Sequence, residues 1–316
     1  MKFLEYLTLC DGICLWVKLD GRIAGYMPIS EINIVHTVVN EHGGIFDDVL
    51  ELLIDCFEGL GRKVQRSINH FDTKKLNLVI GHTAFLNKMA FDEIVRSKCQ
   101  YVVFQMEALD ARAGLTPTFP AYLEFLRLAP RVWDYSAKNV AFLTANGCGN
   151  ARYMPLGYSR RLERIVHTPV KDIDVIFYGA NNRRRGLVLD ALAGCCRLEV
   201  VFGAYGRERD QAIARSKIVL NLHQFETAQL EQVRISYLLN NRCFVVSELS
   251  ESNPYPDGLV FCGYDWIAER CMEYLRPEME AERGRIAEMG HAKLREIPIV
   301  ENIRLELELL EGTAKS

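Results

Sequence analysis

From residue 32 onward, apolar residues fall into strand-length runs, and between the runs they recur at helical spacing. Residues 32–39, 64–67, 76–80, 101–105, 140–143 and 151–154 read as strands. Residues 46–57, 85–96 and 119–128 read as amphipathic helices between them. Alternation of this kind predicts a doubly wound parallel sheet over 31–160. A second cycle follows over 171–298. Its strands are expected at 174–178, 198–202, 218–222, 243–247 and 259–262, with helices after most of them. Between the cycles, 161–170 is basic, contains Pro169 and has little apolar periodicity, so it reads as a linker. Residues 299–316 carry one more helical pattern. Residues 1–30 read as an appended hairpin, with 13–17 and 22–26 pairing around the Asp20-Gly21 turn signal.

The polar residues give this pattern a function. In 216–248 a strand, a polar loop, a helix and a second strand form a β-α-β unit. His223, Glu226, Glu231 and Arg234 sit where its first strand ends and its helix begins. Ligands of open α/β sheets bind at that edge. A helix-start carboxylate can take two ribose hydroxyls, but Glu226 can equally cap the helix, and Glu231 with Arg234 can be a surface ion pair.

The loop 179–186 follows the strand 174–178 and contains Gly179, Asn181, Arg183, Arg184 and Arg185. It offers backbone N–H groups and a helix N-terminus to an anion, and its arginines add charge-assisted donors. Arg183 and Arg184, nearest the strand, are the favoured pair, against the alternative of a solvated basic loop. The dinucleotide glycine fingerprint is absent there.

In the first cycle, Gly43 and Gly44 follow a strand and let a bound group approach the backbone. His42 in the same loop, His82 after residues 76–80 and Glu107 after 101–105 are three candidate general bases. Asp172 and Asp174 spell an Asp-x-Asp pair, but they open a strand at the edge away from the ligand and read as structural.

Bulk properties narrow the partners. The 316 residues suffice for two domains, and 49% apolar with 25% charged residues is ordinary for a globular protein. A net charge of −3 supplies no global field toward nucleic acid, which is therefore not an expected partner. No apolar run has membrane-spanning length, and the first residues lack a signal-peptide pattern. The ten cysteines contain no Cys-x-x-Cys pair, so neither a zinc site nor a disulfide framework is expected. A reduced, cytoplasmic protein follows.

Residues 178–184, 225–241 and 244–248, together with 133–139 and 154–158, resemble glycosyltransferases of the GT-B architecture, of the bacterial and phage family-1 or CgeB-like sort. The resemblance spans roughly residues 32–275. It implies two Rossmann-like domains facing across a cleft and a metal-independent transfer of sugar from a nucleotide-sugar donor to an acceptor hydroxyl. It implies that 171–298 binds the donor, with the 179–184 loop on the diphosphate, Glu231 on the ribose, and His223 and Arg234 near the phosphates or sugar. The acceptor, a glycan or lipid-linked glycan of surface-glycan synthesis, would lie against 31–160, with His42, His82 or Glu107 as base. The last helix would return to the first domain. The usual Glu-x7-Glu spacing is here Glu226-x4-Glu231, so the ribose carboxylate and the stereochemistry stay open. The rivals are a nucleotide-sugar epimerase of the same fold and a non-catalytic nucleotide- or sugar-binding module, with a DNA-modifying transferase behind them. The basic linker at 160–164 could touch an anionic acceptor or a membrane face.

Overall fold

The computed structural model describes residues 29–37, 44–81, 94, 96, 99–109, 119–226 and 229–312. The first sheet contains β1 (Glu31–Thr37), β2 (Lys63–Ile68), β3 (Leu76–Gly81), β4 (Tyr101–Gln105), β5 (Val132–Asp134) and β6 (Ala151–Tyr153). Its order is β2-β1-β3-β4-β5-β6, with every pair parallel. The second sheet contains β7 (Ile173–Tyr178), β8 (Leu198–Val201), β9 (Ser216–Asn221), β10 (Val245–Glu248) and β11 (Val260–Cys262). Its order is β11-β10-β9-β7-β8, again all parallel. This is the α/β class and doubly wound topology expected from the alternating pattern.

The helices are α1 (Asp47–Gly59), α2 (Phe119–Leu128), α3 (Ala137–Ala145), α4 (Arg183–Ala193), α5 (Gly206–Ala214), α6 (Gln232–Asn240), α7 (Ile267–Leu275), α8 (Glu280–Glu296) and α9 (Ile299–Leu310). Central strands such as β1 and β4 are buried along nearly their whole length, because helices cover both faces of each parallel sheet. Edge strand β2 instead carries Lys63, Gln65 and Arg66 toward solvent, which suits an unpaired edge. On one face of the first sheet, Ile34, Leu50, Phe57 and Trp133 pack with Ile299, Ile303 and Leu307 of α9. The opposite face is filled by Val79, Val103, Tyr122 and Phe125. In the second sheet Phe177, Leu220 and Val246 pack beneath Leu189 and Ile267, and Ile176, Val219 and Val245 beneath Ile213, Ile235 and Leu294.

Two local expectations are corrected. Residues 140–143 lie inside α3, and the strand of that region is β5; Ser136 caps α3 by accepting from the Asn139 N–H at 3.3 Å. The arginine stretch is not a loop: α4 begins at Arg183 because the Asn182 side chain accepts the Arg185 N–H at 2.9 Å. In the basic stretch after residue 160, Arg161 pairs with Asp55 at 3.2 Å and with Glu58, and Arg164 with Asp48 at 3.3 Å, while Arg160 is exposed. The hairpin of 13–17 and 22–26 and most of the 85–96 helix lie outside the described residues. Among the described residues no disulfide forms, and Cys56 and Cys243 are buried thiols whose burial pushes their pKa up to about 12. No helix of these residues is long and apolar enough to cross a membrane.

The two sheets are joined by polar contacts as well as by α9. The Gln232 amide of α6 donates to the Tyr135 carbonyl at 2.7 Å and accepts from the Leu156 N–H at 3.2 Å. Tyr255 donates to the Leu156 carbonyl at 2.7 Å. Arg209 of α5 reaches Asp48 of α1 at 2.6 Å, both nearly buried, with Asp210 at 2.8 Å and the Tyr237 ring beneath it at 4.1 Å.

Candidate functional site

In each sheet the winding direction reverses at one place, between β1 and β3 in the first and between β7 and β9 in the second. Crevices at such switch points lie beyond the carboxyl ends of the strands. A cavity of about 510 Å³ lies between the two domains at these edges. The first domain contributes Ile45, Phe46, Asp48, Met106, Glu107 and Tyr135. The second contributes Tyr178, Gly179, Arg185, Phe202, Tyr205, Arg209, Gln229, Glu231 and Arg234.

Because α4 starts at Arg183, its three arginines leave the axis about 100° apart. Arg183 points to solvent. Arg184 makes a two-pronged pair with Glu248, with one bond of 2.8 Å, and lies 4.1 Å from the centre of the Tyr264 ring. Arg185 turns inward and lines the cavity. Its guanidinium donates to the Leu222 carbonyl at 2.7 and 3.0 Å and to the Ala180 carbonyl at 2.7 Å. These acceptors are neutral, and Glu231 is its nearest carboxylate at 3.8 Å. Burial, and then repulsion from Arg234, lowers the Arg185 pKa to about 10. The favoured pair Arg183 and Arg184 is therefore replaced at the cavity by Arg185.

Arg234, one turn into α6, is the second guanidinium facing the cavity. It donates to Asn221 Oδ1 at 3.0 Å and lies 4.9 Å from the centre of the Tyr178 ring. Gly179 lets it lie there. The glycine has φ of +127°, and a Cβ built on it would stand 2.7 Å from Arg234 Nη2. Asn221 passes its amide protons to Glu231 Oε2 at 2.9 Å and Ser247 Oγ at 3.0 Å. Glu231 stands at the start of α6 with its side chain 29% exposed.

His223 is buried beneath this carboxylate, with Nδ1 at 2.9 Å from Glu231 Oε2 and Nε2 at 3.0 Å from the Leu249 carbonyl. Both ring nitrogens face acceptors, which suits an imidazolium. Burial opposes the charge, but the bond to Glu231 outweighs it, and the His223 pKa is raised from 6.5. For Glu231, burial pushes upward and the His223 bond, with Arg234 and Asn221, holds the pKa below 4.5. The raised histidine contributes stability fully below pH 6.5 and loses it as pH climbs through its higher folded value. The lowered glutamate contributes above pH 4.5 and loses it as pH falls through its lower folded value. We expect nitrogen-15 NMR at pH 6 to find both His223 nitrogens protonated, and His223→Gln to remove the loss of stability on the alkaline side. A neutral ring at that pH would contradict the arrangement.

Across the cavity, the turn carrying Glu107 is held on both sides. Gln105 Oε1 accepts the Glu107 N–H at 2.9 Å, and Gln105 Nε2 and Asn139 Nδ2 each donate to the Glu107 carbonyl at 2.7 Å. Both amides also donate to the buried Asp134, at 3.0 and 2.9 Å, and burial pushes that carboxyl's pKa well up. Gly44 packs against Tyr205, so that a Cβ there would lie 2.8 Å from the ring. His42, Gly43 and His82 lie outside the described residues. Asn181 and Glu226 are exposed and do not line the cavity. Asp172 pairs with Arg215 at 2.5 Å, and Asp174 with Arg197 at 2.9 Å and Lys217 at 2.8 Å.

Sequence reasoning thus named Glu107, Gly179, Glu231 and Arg234 of the lining, and His223 just behind it. It missed Arg185, Arg209, Asp48, Gln229, Phe202 and Tyr205. For Arg185 a signal existed, since Asn182 is a favourable N-cap that sets the phase of the arginines. For Phe202, Tyr205 and Gln229 no local pattern distinguishes cavity from surface.

No family model matches the chain. Among curated proteins, one uncharacterized protein of Acanthamoeba polyphaga mimivirus is 26% identical over 209 residues, covering 62% of this chain and 27% of that protein. A second from the same virus is 25% identical over 198 residues, covering 58% and 62%. The chain thus spans less than two thirds of the length of these relatives. Among solved structures, Anabaena HepE in complex with UDP and glucose superposes with a TM-score of 0.61 at 12% identity, over 89% of this chain and 99% of that one. An alpha-glucosyltransferase in complex with UDP and a 13-mer DNA gives 0.57 at 12% identity over the same shares. Trehalose-6-phosphate enzyme from E. coli, bound with UDP-2-fluoro glucose, gives 0.58 at 9% identity over 88% and 99%. With two parallel doubly wound sheets meeting at a cleft, this chain has the fold of the GT-B glycosyltransferases.

Proposed function

We propose that this protein transfers a sugar from a nucleotide-sugar donor to an acceptor hydroxyl without a divalent cation. One observation carries the reading: two inward guanidiniums, Arg185 and Arg234, meet at the second switch point, with Glu231 as the carboxylate between them. An anion with two phosphates balances that excess positive charge and accepts from forked donors. During transfer, charge grows on the leaving diphosphate, and the same guanidiniums with the α4 N-terminus would stabilise it. The nucleoside would extend toward Phe202 and Tyr205, whose rings suit stacking on a base. Glu231 keeps its place as the candidate ribose ligand through Oε1, since Oε2 already accepts from Asn221 and His223.

On the facing wall, Glu107 is the described carboxylate able to take the acceptor proton in an inverting reaction. The acceptor we propose is a glycan or lipid-linked glycan. The fold's known members, the resemblance of 178–184 and 225–241, and the charge of the cleft support this reading together. A thermal-shift panel of nucleoside diphosphates and nucleotide sugars tests it. One nucleotide should raise the melting temperature, by the equivalent of about 2.7 kcal/mol at a hundredfold excess over Kd. The absence of a shift with every nucleotide would overturn the proposal. Epimerised nucleotide sugar in place of released diphosphate would move the chain to the epimerases.

A further inference from the structure

We infer that Gln229 reads the transferred sugar, and so sets donor specificity; the inference rests on the donor site proposed above. Gln229 lies in the loop between β9 and α6 and lines the cavity, yet it is only 7% exposed. Neither its amide oxygen nor its amide nitrogen makes a well-formed hydrogen bond, although the amide lies close enough to the Tyr135 hydroxyl to favour its phenolate. A buried amide left unpaired costs free energy, and such groups in native proteins are almost always satisfied. Its neighbours meet the need at most in part. Glu231 Oε2 is taken by Asn221 and His223, and the Tyr135 hydroxyl beside the amide donates to the Met106 carbonyl at 2.8 Å, so it can accept one amide proton but has none to give the amide oxygen.

Position selects the ligand group. Arg185 and Arg234 fix where the phosphates lie, and Phe202 and Tyr205 mark the outer wall on the β8 side. Gln229 follows β9, on the far side of β7 from β8, two residues before Glu231 and beside Tyr135 of the first domain. Between the diphosphate and a base on the first domain, the group that must occupy this space is the sugar being transferred. A primary amide offers a donor and an acceptor side by side, which matches adjacent sugar hydroxyls. The Tyr178 hydroxyl, also buried and unpartnered, lines the same cavity.

The test compares, by calorimetry, Kd for UDP and UDP-glucose and for GDP and GDP-mannose, in the parent protein, Gln229→Met and Gln229→Glu. Methionine keeps the volume and removes both polar atoms; glutamate keeps the shape and removes the donor. The expected result is that the nucleotide sugar binds the parent more tightly than its diphosphate. Both variants should lose at least about tenfold of that advantage while their diphosphate Kd stays within about twofold. Equal advantage in parent and variants overturns the inference and leaves the donor site standing. Loss of diphosphate binding to the same extent also overturns it, since Gln229 would then shape the whole cleft. If the parent binds neither pair, the donor-site reading fails and the inference falls with it.

Discussion

Arg234→Ala should slow sugar transfer by about a hundred- to a thousandfold in kcat/KM, a loss of about 2.7–4 kcal/mol of transition-state stabilisation. The side chain is half-buried, with Asn221 Oδ1 as its hydrogen-bonding acceptor, so its removal should leave the fold largely intact. Arg234→Lys keeps the charge but not the fork, and should recover only part of the loss. Gly179→Ala reaches the same guanidinium from below. At φ of +127° the new side chain is strained, and its Cβ meets Arg234 Nη2 at 2.7 Å, so the arginine must move. It should therefore reproduce much of the Arg234→Ala defect without touching a charged residue. Rates are followed by released nucleoside diphosphate. Parent-like kcat/KM in Arg234→Ala would remove this residue from the reaction.

The second large effect concerns the join between the domains. Asp48→Ala should destabilise the protein by about 3 kcal/mol, the lower end of the cost of unpairing a buried ion. Arg209 would keep Asp210 as its remaining counter-charge, with the Tyr178 and Tyr237 rings around it, and Arg164 would lose its pair as well. The midpoint of urea denaturation reports the change, and a loss below about 1 kcal/mol would show that Asp210 alone satisfies Arg209. Both ions line the cavity, so the variant should also raise KM for the donor.

How much of this could be read beforehand follows the range of the interactions. Buried strands such as β4 and β9 are visible through the apolar runs at 101–104 and 218–220, which helices cover on both faces. The switch-point edge was visible through the β-α-β unit around Glu231 and Arg234. Residues 140–143 misled because a short apolar run does not distinguish strand from helix. Ser136 decides the matter by capping, while Val132–Asp134 is too short to announce itself as a strand. The three arginines are identical in composition, and a single cap at Asn182 determines which one enters the cleft. The Asp48–Arg209 pair and the Gln229 amide depend on residues brought together from distant parts of the chain, which no local spacing encodes.

Helix α9 has a bearing on how the protein is made. Ile299, Ile303 and Leu307 belong to the core of the first sheet, and Glu306 accepts from the Trp133 indole at 3.4 Å and pairs with Arg131 at 3.3 Å. Glu311 just beyond it accepts the Ile29 N–H at 2.7 Å, at the entry to β1. Domains ordinarily fold one after another as they leave the ribosome, the earlier one first. Here the earlier domain must wait with an open apolar face until the later one has been translated, because the segment that closes it follows the second sheet in the chain. The nascent chain is therefore most exposed to chaperones and to misassociation through the half that was synthesised first.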